Sequence, residues 1–249
     1  MEIILIGAEG KMGQEVIKYC SENKLNIVAK VDERYKIKNA NLSNGLSKHD
    51  KNSVFFDKNN ANLQIFTDKT LYSFSGKADV IIDFSTARNR KRLIEYALNN
   101  NLAYCCFSTT ITKHDMIRFE NLAKSVPVLI SCNTSVGNKA MLSAINILHK
   151  EFKGSDMSII EYHNRNKKDV PSGTARQMIN LLESNGCKVS NISSIRAGNM
   201  CGLHQIEFFR DDERIVVTHE VFNKSVFASG AVKMAQKILK LGPCLRYDI

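Results

Sequence analysis

Residues 2–13 read Glu2-Ile-Ile-Leu-Ile-Gly7-Ala-Glu-Gly10-Lys11-Met12-Gly13, and this stretch decides the fold. It is a short apolar run that stops at a glycine turn. Beyond Gly13 a helical pattern follows, with Val16, Ile17 and Cys20 apolar. Residues 26–32, Asn-Ile-Val-Ala-Lys-Val-Asp32, then read as a second strand. Glycine permits the tight turn and lets the backbone approach a pyrophosphate. The helix N-terminus presents free N–H groups and a positive dipole end to the phosphates. The spacing G-x-x-G-x-x-G is a variant of the dinucleotide fingerprint, so Gly7, Gly10, Lys11, Met12 and Gly13 are expected to bind a cofactor. Asp32 closes the second strand, where an acid accepts hydrogen bonds from the adenosine ribose. Lys11 and Arg34 are placed for a 2′-phosphate. The acid favours NADH and the two bases favour NADPH, so the pattern leaves both open.

Outward from this unit the alternation continues. Strands are expected at Ala78–Phe84, Ala103–Phe107 and Val126–Cys132, with helices at Thr86–Asn99 and Lys113–Lys124 between them. Nearly all-apolar strands alternating with helices indicate a parallel sheet covered on both faces. Residues 35–76 are rich in Lys, Asn, Ser and Asp, with apolar islands at Val54–Phe56 and Leu63–Phe66. They read as a partly looped segment with one or two short strands. After Asn133 the grammar changes. A helix from Ser135 to Phe152, a strand at Met157–Tyr162 and a helix at Thr174–Glu183 precede two consecutive strands, Leu203–Phe209 and Ile215–Val221. Consecutive strands suggest a mixed or antiparallel sheet and a second domain. A last helix, Val226–Leu239, is expected to close the chain.

Composition narrows the function classes. The 249 residues carry a formal charge of +10, with 43% hydrophobic and 24% charged residues, so a buried core is expected. The lysines are scattered and not interleaved with aromatics, which argues against nucleic acid as a partner and leaves attraction of small anions. The seven cysteines are irregularly spaced and form no C-x-x-C pair, so neither a zinc site nor a redox dithiol is signalled. The expected state is reduced thiols in the cytoplasm. No signal peptide and no membrane span are read.

The densest chemistry lies in Glu161-Tyr-His163-Asn164-Arg165-Asn-Lys167-Lys-Asp169-Val-Pro171-Ser172-Gly173-Thr174-Ala175. Pro171 argues against a helix through this stretch, and Ser172 and Gly173 lead into one. Three successive N–H groups near that helix start can hold a carboxylate. Lys167 offers an ammonium, and His163 an imidazole able to exchange a proton near pH 7.

This stretch resembles the signature of the dihydrodipicolinate reductase family, E-x-H-H-x-x-K-x-D-x-P-S-G-T-A. Every fixed position matches except the second His, which is Asn164 here. Further similarity runs through Gly7 to Gly13, Val80-Ile-Ile-Asp83-Phe84-Ser85, Asn133-Thr-Ser135-Val-Gly137, Arg196-Ala-Gly198 with Gly202 and His204, and Phe227-Ala-Ser-Gly230-Ala231. The resemblance implies an α/β fold: a Rossmann-like dinucleotide-binding domain (1–133 plus 226–249) and a second α+β substrate-binding and oligomerisation domain with a mixed sheet (134–225). It implies a homotetramer, a small dianionic substrate, and NADPH- or NADH-dependent reduction of 4-hydroxy-tetrahydrodipicolinate. By the same resemblance His163 is the proton donor and Lys167 its cationic partner. Asn164, Ser172, Gly173 and Thr174 face the substrate. Phe84, Ser85, Ser108, Thr109 and Thr110 line the cofactor. The family's G-T-T-G loop reads Ser108-Thr-Thr-Ile111 here, which matters if either glycine position needs positive φ. The open alternatives are a dinucleotide sensor and a related oxidoreductase with another small anionic substrate.

Overall fold

A computed structural model describes residues 1–34, 55–57, 60–67 and 69–247. The expectation of a loop over 35–76 falls partly outside these residues, as does Val54. The chain divides into two compact units, one of Met1–Ser131 with Ala228–Ile249, the other of Cys132–Phe227.

The first unit is built on β1 (Glu2–Ile6), α1 (Lys11–Glu22), β2 (Asn26–Val31), β3 (Phe55–Asp57), β4 (Asn60–Phe66), β5 (Val80–Asp83), α2 (Arg90–Asn99), β6 (Ala103–Cys106), α3 (Lys113–Leu122) and β7 (Pro127–Ile130). Its strand order is β12-β7-β6-β5-β1-β2-β4-β3, where β12 is Cys244–Tyr247. All neighbours run parallel except the β3–β4 edge pair. Successive residues of the central strands feed opposite faces. Ile3, Leu5, Val80, Ile82, Ala103, Cys105 and Leu129 pack with α1 and with α6 (Ser225–Ile238). Ile4, Ile6, Ile81, Tyr104, Cys106, Val128 and Ile130 pack with α2 and α3. This two-sided burial explains the unbroken apolar runs. Each such aliphatic side chain contributes about 1.5–3 kcal/mol. Burial pushes the Cys105 thiol up and Cys106 to about 12, so both behave as core residues.

The second unit holds α4 (Val136–Glu151), β8 (Asp156–His163), α5 (Gly173–Ser184), β9 (Asn191–Arg196), β10 (Gly202–Phe209) and β11 (Arg214–Val221). The sheet order is β11-β10-β8-β9, antiparallel at the first two pairs and parallel between β8 and β9. Met157, Ile159, Ile206 and Phe208 pack against Met141 and Ile145 of α4 and Met178 and Leu182 of α5. Helix starts follow the side chains: Ser135 Oγ accepts from Asn138 N at 3.3 Å, and Ser172 Oγ from Ala175 N at 3.2 Å.

Several expectations need correction. The helix at Thr86–Asn99 begins at Arg90, after a 3-10 turn at Ala87–Asn89. The strand read as Val126–Cys132 stops at Ile130, and Cys132 is exposed. The last helix does not close the chain, because β12 follows it and pairs with β7. The polar segment Asn191–Arg196 is a strand without an apolar alternation to announce it.

Candidate active site

In the first unit the glycine turn is a cradle. Gly7 has φ +78°, and a Cβ there would meet the Phe84 carbonyl at 3.1 Å. A Cβ at Gly13 would sit 2.2 Å from Gly7 O and 2.6 Å from Ala8 O. Gly10 caps α1 without any side-chain bond. The N–H groups of Lys11, Met12 and Gly13 find no acceptor among the described residues. A bare helix N-terminus behind a close-packed glycine turn fits the pyrophosphate of a dinucleotide. A cleft of about 340 Å³ opens beside it, lined by Gly7, Gly10, Asp32, Arg34, Phe84 and Ser85 among others. Lys11 is not among its lining residues, so of the two bases expected at a 2′-phosphate the structure brings only Arg34 to the cleft.

Asp32 is buried and Arg34 grips it, with Nε to Oδ1 and Nη2 to Oδ2 both at 2.8 Å. Glu9 N also donates to Asp32 Oδ2 at 2.9 Å. Burial raises the Asp32 pKa, but these hydrogen bonds outweigh it and the net direction is down.

The loops after β5 and β6 are tied by a residue that the sequence reading passed over. Arg90, fully buried, donates to Thr110 O at 2.7 Å and to Asp115 Oδ2 at 3.0 Å, and its Nε lies 3.6 Å from Asp83 Oδ2. Asp83 in turn accepts from Ser85 N at 2.7 Å and from Tyr104 Oη at 2.7 Å. One buried guanidinium therefore fixes the loops that carry Ser85 and Ser108 to Thr110. The glycine substitutions in the second loop are accommodated. Lys24 and Asn101 are the only described non-glycine residues with positive φ, so Ser108 and Ile111 carry no such strain. Ser108 Oγ takes Thr110 N at 3.2 Å, and Ile111 packs against the core.

In the second unit Glu161 organises the site. It is fully buried at the end of β8. Its Oε1 accepts from Ser172 N at 3.0 Å, Ser194 Oγ at 2.7 Å and Arg196 Nη2 at 2.7 Å. Burial pushes this carboxyl up, yet the bonds from Ser172, Arg196 and Ser194 win and hold its pKa at about 2. Its Oε2 lies 3.4 Å from His163 Nδ1 and 3.7 Å from His204 Nε2. His204 Nε2 also lies 3.0 Å from Ser172 Oγ. The two imidazoles stand edge to face, centroids 5.0 Å apart. Burial, with the Lys167 charge second and Glu161 opposing, lowers His163 to about 4. Burial, with His163 second, lowers His204 to about 3. Both rings are neutral near pH 7.

Donor atoms of Glu161, His163 and His204 all fall within 4.8 Å of one another, within reach of one metal ion. The Arg196 guanidinium already neutralises that carboxylate and would repel a second cation, so the geometry favours proton handling over metal binding.

The start of α5 differs from the three-amide expectation. Ser172 N–H is taken by Glu161 and its hydroxyl by Ala175 N and His204. Gly173 and Thr174 keep N–H groups without an acceptor among the described residues. Nothing lies within 4 Å of a Cβ built on Gly173, so there is open space beside the helix start. Lys167 Nζ is held 2.8 Å from Asp169 Oδ1. Asn164 Oδ1 turns back onto Asn166 N at 3.1 Å, which leaves its amide nitrogen as donor. No spacing in the sequence points to a role for Glu161, Ser194, Arg196 or His204. Their signal was present, since Arg196 and His204 sit in matched motifs, but spacing alone did not bring them to one carboxylate.

A glycine turn shaped for a dinucleotide on a parallel sheet, with a histidine–carboxylate cluster and a helix start with unpaired amides on a separate mixed sheet, has the make-up of a nicotinamide-dependent oxidoreductase. Comparison with known proteins gives the particular family. Residues 1–134 match the family profile "Dihydrodipicolinate reductase, N-terminus", and residues 137–248 match "Dihydrodipicolinate reductase, C-terminus". The chain belongs to the dihydrodipicolinate reductase family. A 4-hydroxy-tetrahydrodipicolinate reductase of Rickettsia rickettsii is 37% identical over 179 residues, covering 66% of this chain and 75% of the relative. One of Buchnera aphidicola is 32% identical over 257 residues, covering 94% of this chain and 90% of the relative. A dipicolinate-bound dihydrodipicolinate reductase from Paenisporosarcina shares the fold, with a TM-score of 0.69 at 20% identity over 100% of this chain and 97% of its own.

Proposed function

We propose that this chain reduces 4-hydroxy-tetrahydrodipicolinate to tetrahydrodipicolinate, with loss of water, on the route to diaminopimelate and lysine. The observation that carries this reading is the buried Glu161–His163–His204 cluster beside the free amides of Gly173 and Thr174, in a chain of this family. Retention of a proton-handling cluster favours turnover over a dinucleotide sensor.

In this reading the first unit holds NADPH or NADH through Gly7 to Gly13, Asp32, Arg34, Phe84, Ser85 and the Ser108–Thr110 loop. When bound, the reduced nicotinamide supplies the hydride. The second unit binds a dianion. Gly173 and Thr174 N–H groups take one carboxylate, and Lys167 and Asn164 add positive charge and a donor. Charge that builds on the conjugated ring is quenched by a proton from His163 to the adjacent carbon. The dianion raises the proton affinity of His163, which equips a neutral imidazole to act as an acid once substrate is present.

The open face of the second sheet supports assembly through that unit. Ile160, Tyr162, Leu203, Phe209, Ile195 and Val216 point away from α4 and α5 and are half-buried or exposed. A homotetramer joined there covers them. The seven cysteines form no disulfide, which suits a reducing cytoplasm. Among the described residues no helix is long and apolar enough to cross a membrane.

The test is oxidation of NADPH, and separately NADH, at 340 nm, with substrate generated from pyruvate and aspartate semialdehyde by the preceding synthase. Absence of turnover with either cofactor would sink the assignment. Two variants refine it. Arg34→Ala removes a guanidinium placed for the 2′-phosphate and frees Asp32 for ribose hydroxyls. The KM for NADPH is expected to rise about 10-fold or more and that for NADH to stay or fall. Equal changes for both cofactors would remove Arg34 from the selection. At Gly202 a Cβ would lie 3.1 Å from His163 Nε2 and 3.3 Å from Cδ2. Gly202→Ala therefore displaces the ring by a few tenths of an ångström, and kcat is expected to drop about 10-fold with cofactor KM unchanged.

A further inference from the structure

His163 Nδ1 and Glu161 Oε2 are both enclosed, and neither makes a hydrogen bond. They face each other at 3.4 Å, and Oε2 lies 3.7 Å from His204 Nε2. Glu161 is the partner whose protonation state is fixed. Three donors on Oε1, one of them the Arg196 guanidinium, keep it ionised. An ionised carboxylate only accepts. The facing ring nitrogen must therefore carry the proton. The neutral tautomer of His163 that suits the pocket has Nδ1–H toward Glu161 and a bare Nε2. Nε2 is not enclosed and lies beside Gly202, whose missing side chain leaves it uncovered.

We propose that Glu161 is a positioning residue for the reaction: its Oε2 fixes His163 as the Nδ1–H tautomer, so that the proton taken up and delivered is always the one on Nε2. Register explains why this carboxylate is so well held. Glu161 pairs with Ser194 on β9 and with His204 on β10, so both flanking strands present a polar side chain to it. The 3.4 Å contact is close enough to tighten into a hydrogen bond when the His163 ring becomes charged. When substrate binds, Nε2 gains a proton from solvent. In the reaction the Nε2–H bond breaks toward the substrate carbon, its electron pair stays on Nε2, and the other proton stays on Nδ1, directed at the Glu161 carboxylate. The inference rests on the reductase reading for its consequence, although the tautomer can be measured without turnover.

The charged and titratable groups around the ring are Glu161 on β8, Lys167 and Asp169 on the loop after β8, Arg196 at the end of β9, and His204 on β10. His219 on β11 acts on His204. Of these, Glu161 is the nearest negative charge, so removing it disfavours the imidazolium. Glu161→Gln preserves the shape and leaves an amide oxygen for Ser172, Ser194 and Arg196. It points an NH₂ at His163 Nδ1, which must then be bare, and the neutral proton moves to Nε2.

The first measurement is ¹⁵N NMR of the histidine rings in the intact protein at pH 7 to 8, with the His163 signals assigned by their loss in His163→Ala. A protonated Nδ1 and bare Nε2 are expected. A bare Nδ1 in the unaltered protein would overturn the proposal. In Glu161→Gln the pattern is expected to invert and kcat to fall on the order of 10²-fold, with KM for NADPH unchanged. The alkaline limb of the kcat profile should move to lower pH by about one unit, because a less stable imidazolium loses its proton sooner. Unaltered kcat and pH profile in a folded Glu161→Gln protein would equally refute it. If that variant fails to fold, the spectrum of the unaltered protein decides alone. Failure of the reductase reading would appear separately, as no turnover in the unaltered protein.

Discussion

His163→Ala is expected to cut kcat by about 10²–10⁴-fold, the usual contribution of a positioned general acid, while NADPH and NADH bind as before. The reasoning is spatial. His163 belongs to the second unit, at the end of β8, and the dinucleotide cradle is built by the first. The ring makes no hydrogen bond that holds a loop in place. Truncation leaves Glu161 its three donors, so the carboxylate does not become an unpaired buried charge. The cluster should therefore survive without its acid. Steady-state rates and a thermal melt check this together. A folded variant with unaltered turnover would remove His163 from the chemistry and transfer attention to Lys167.

Gly13→Val is expected to abolish cofactor binding, with affinity down at least about 10²-fold or the first unit unfolded. The Cβ alone would meet Gly7 O, Ala8 O and Ala8 Cα at 2.2, 2.6 and 2.7 Å. These are backbone atoms of the turn itself, and no flexible side chain can swing aside. The turn must open, and the Lys11, Met12 and Gly13 N–H groups then no longer converge on one phosphate. Overpacking in a close-packed region costs about 1–3 kcal/mol even where neighbours can shift, and here they cannot. The chain has no Trp, so enhancement of NADH emission reports binding without competing protein fluorescence. Normal NADH titration of this variant would show that the pyrophosphate lies elsewhere. Gly10→Val is a milder version of the same test, since its Cβ approaches Gly7 O only to 3.0 Å.

Local features carried most of the sequence reading. The run Ile3 to Ile6 announced a strand buried on both faces because consecutive residues are apolar, and its two sets of side chains do enter two cores. Ser172 and Pro171 announced the start of α5 because a hydroxyl at that position satisfies an otherwise free N–H. The reading was poorest where the signal is weak or non-local. The Asn191–Arg196 strand is short, polar and at the sheet edge, so burial imposes no alternation on it. The last strand, Cys244–Tyr247, has four residues and is held by its pairing with β7.

By itself the sequence determined the parallel α/β unit, the glycine cradle, the two-strand grammar of the second unit and the identity of His163 and Lys167 as candidates. These depend on periodicity, turn chemistry and motif spacing within some fifteen residues. Tertiary structure alone decided what surrounds His163. Glu161, Ser194, Arg196 and His204 meet because β8 pairs parallel with β9 and antiparallel with β10 in one particular register. A shift of one residue would turn every one of those side chains to the other face. That register is set by the packing of Met157, Ile159, Ile206 and Phe208 beneath the sheet. The apolar core of the second unit thus determines which carboxylate the His163 imidazole faces.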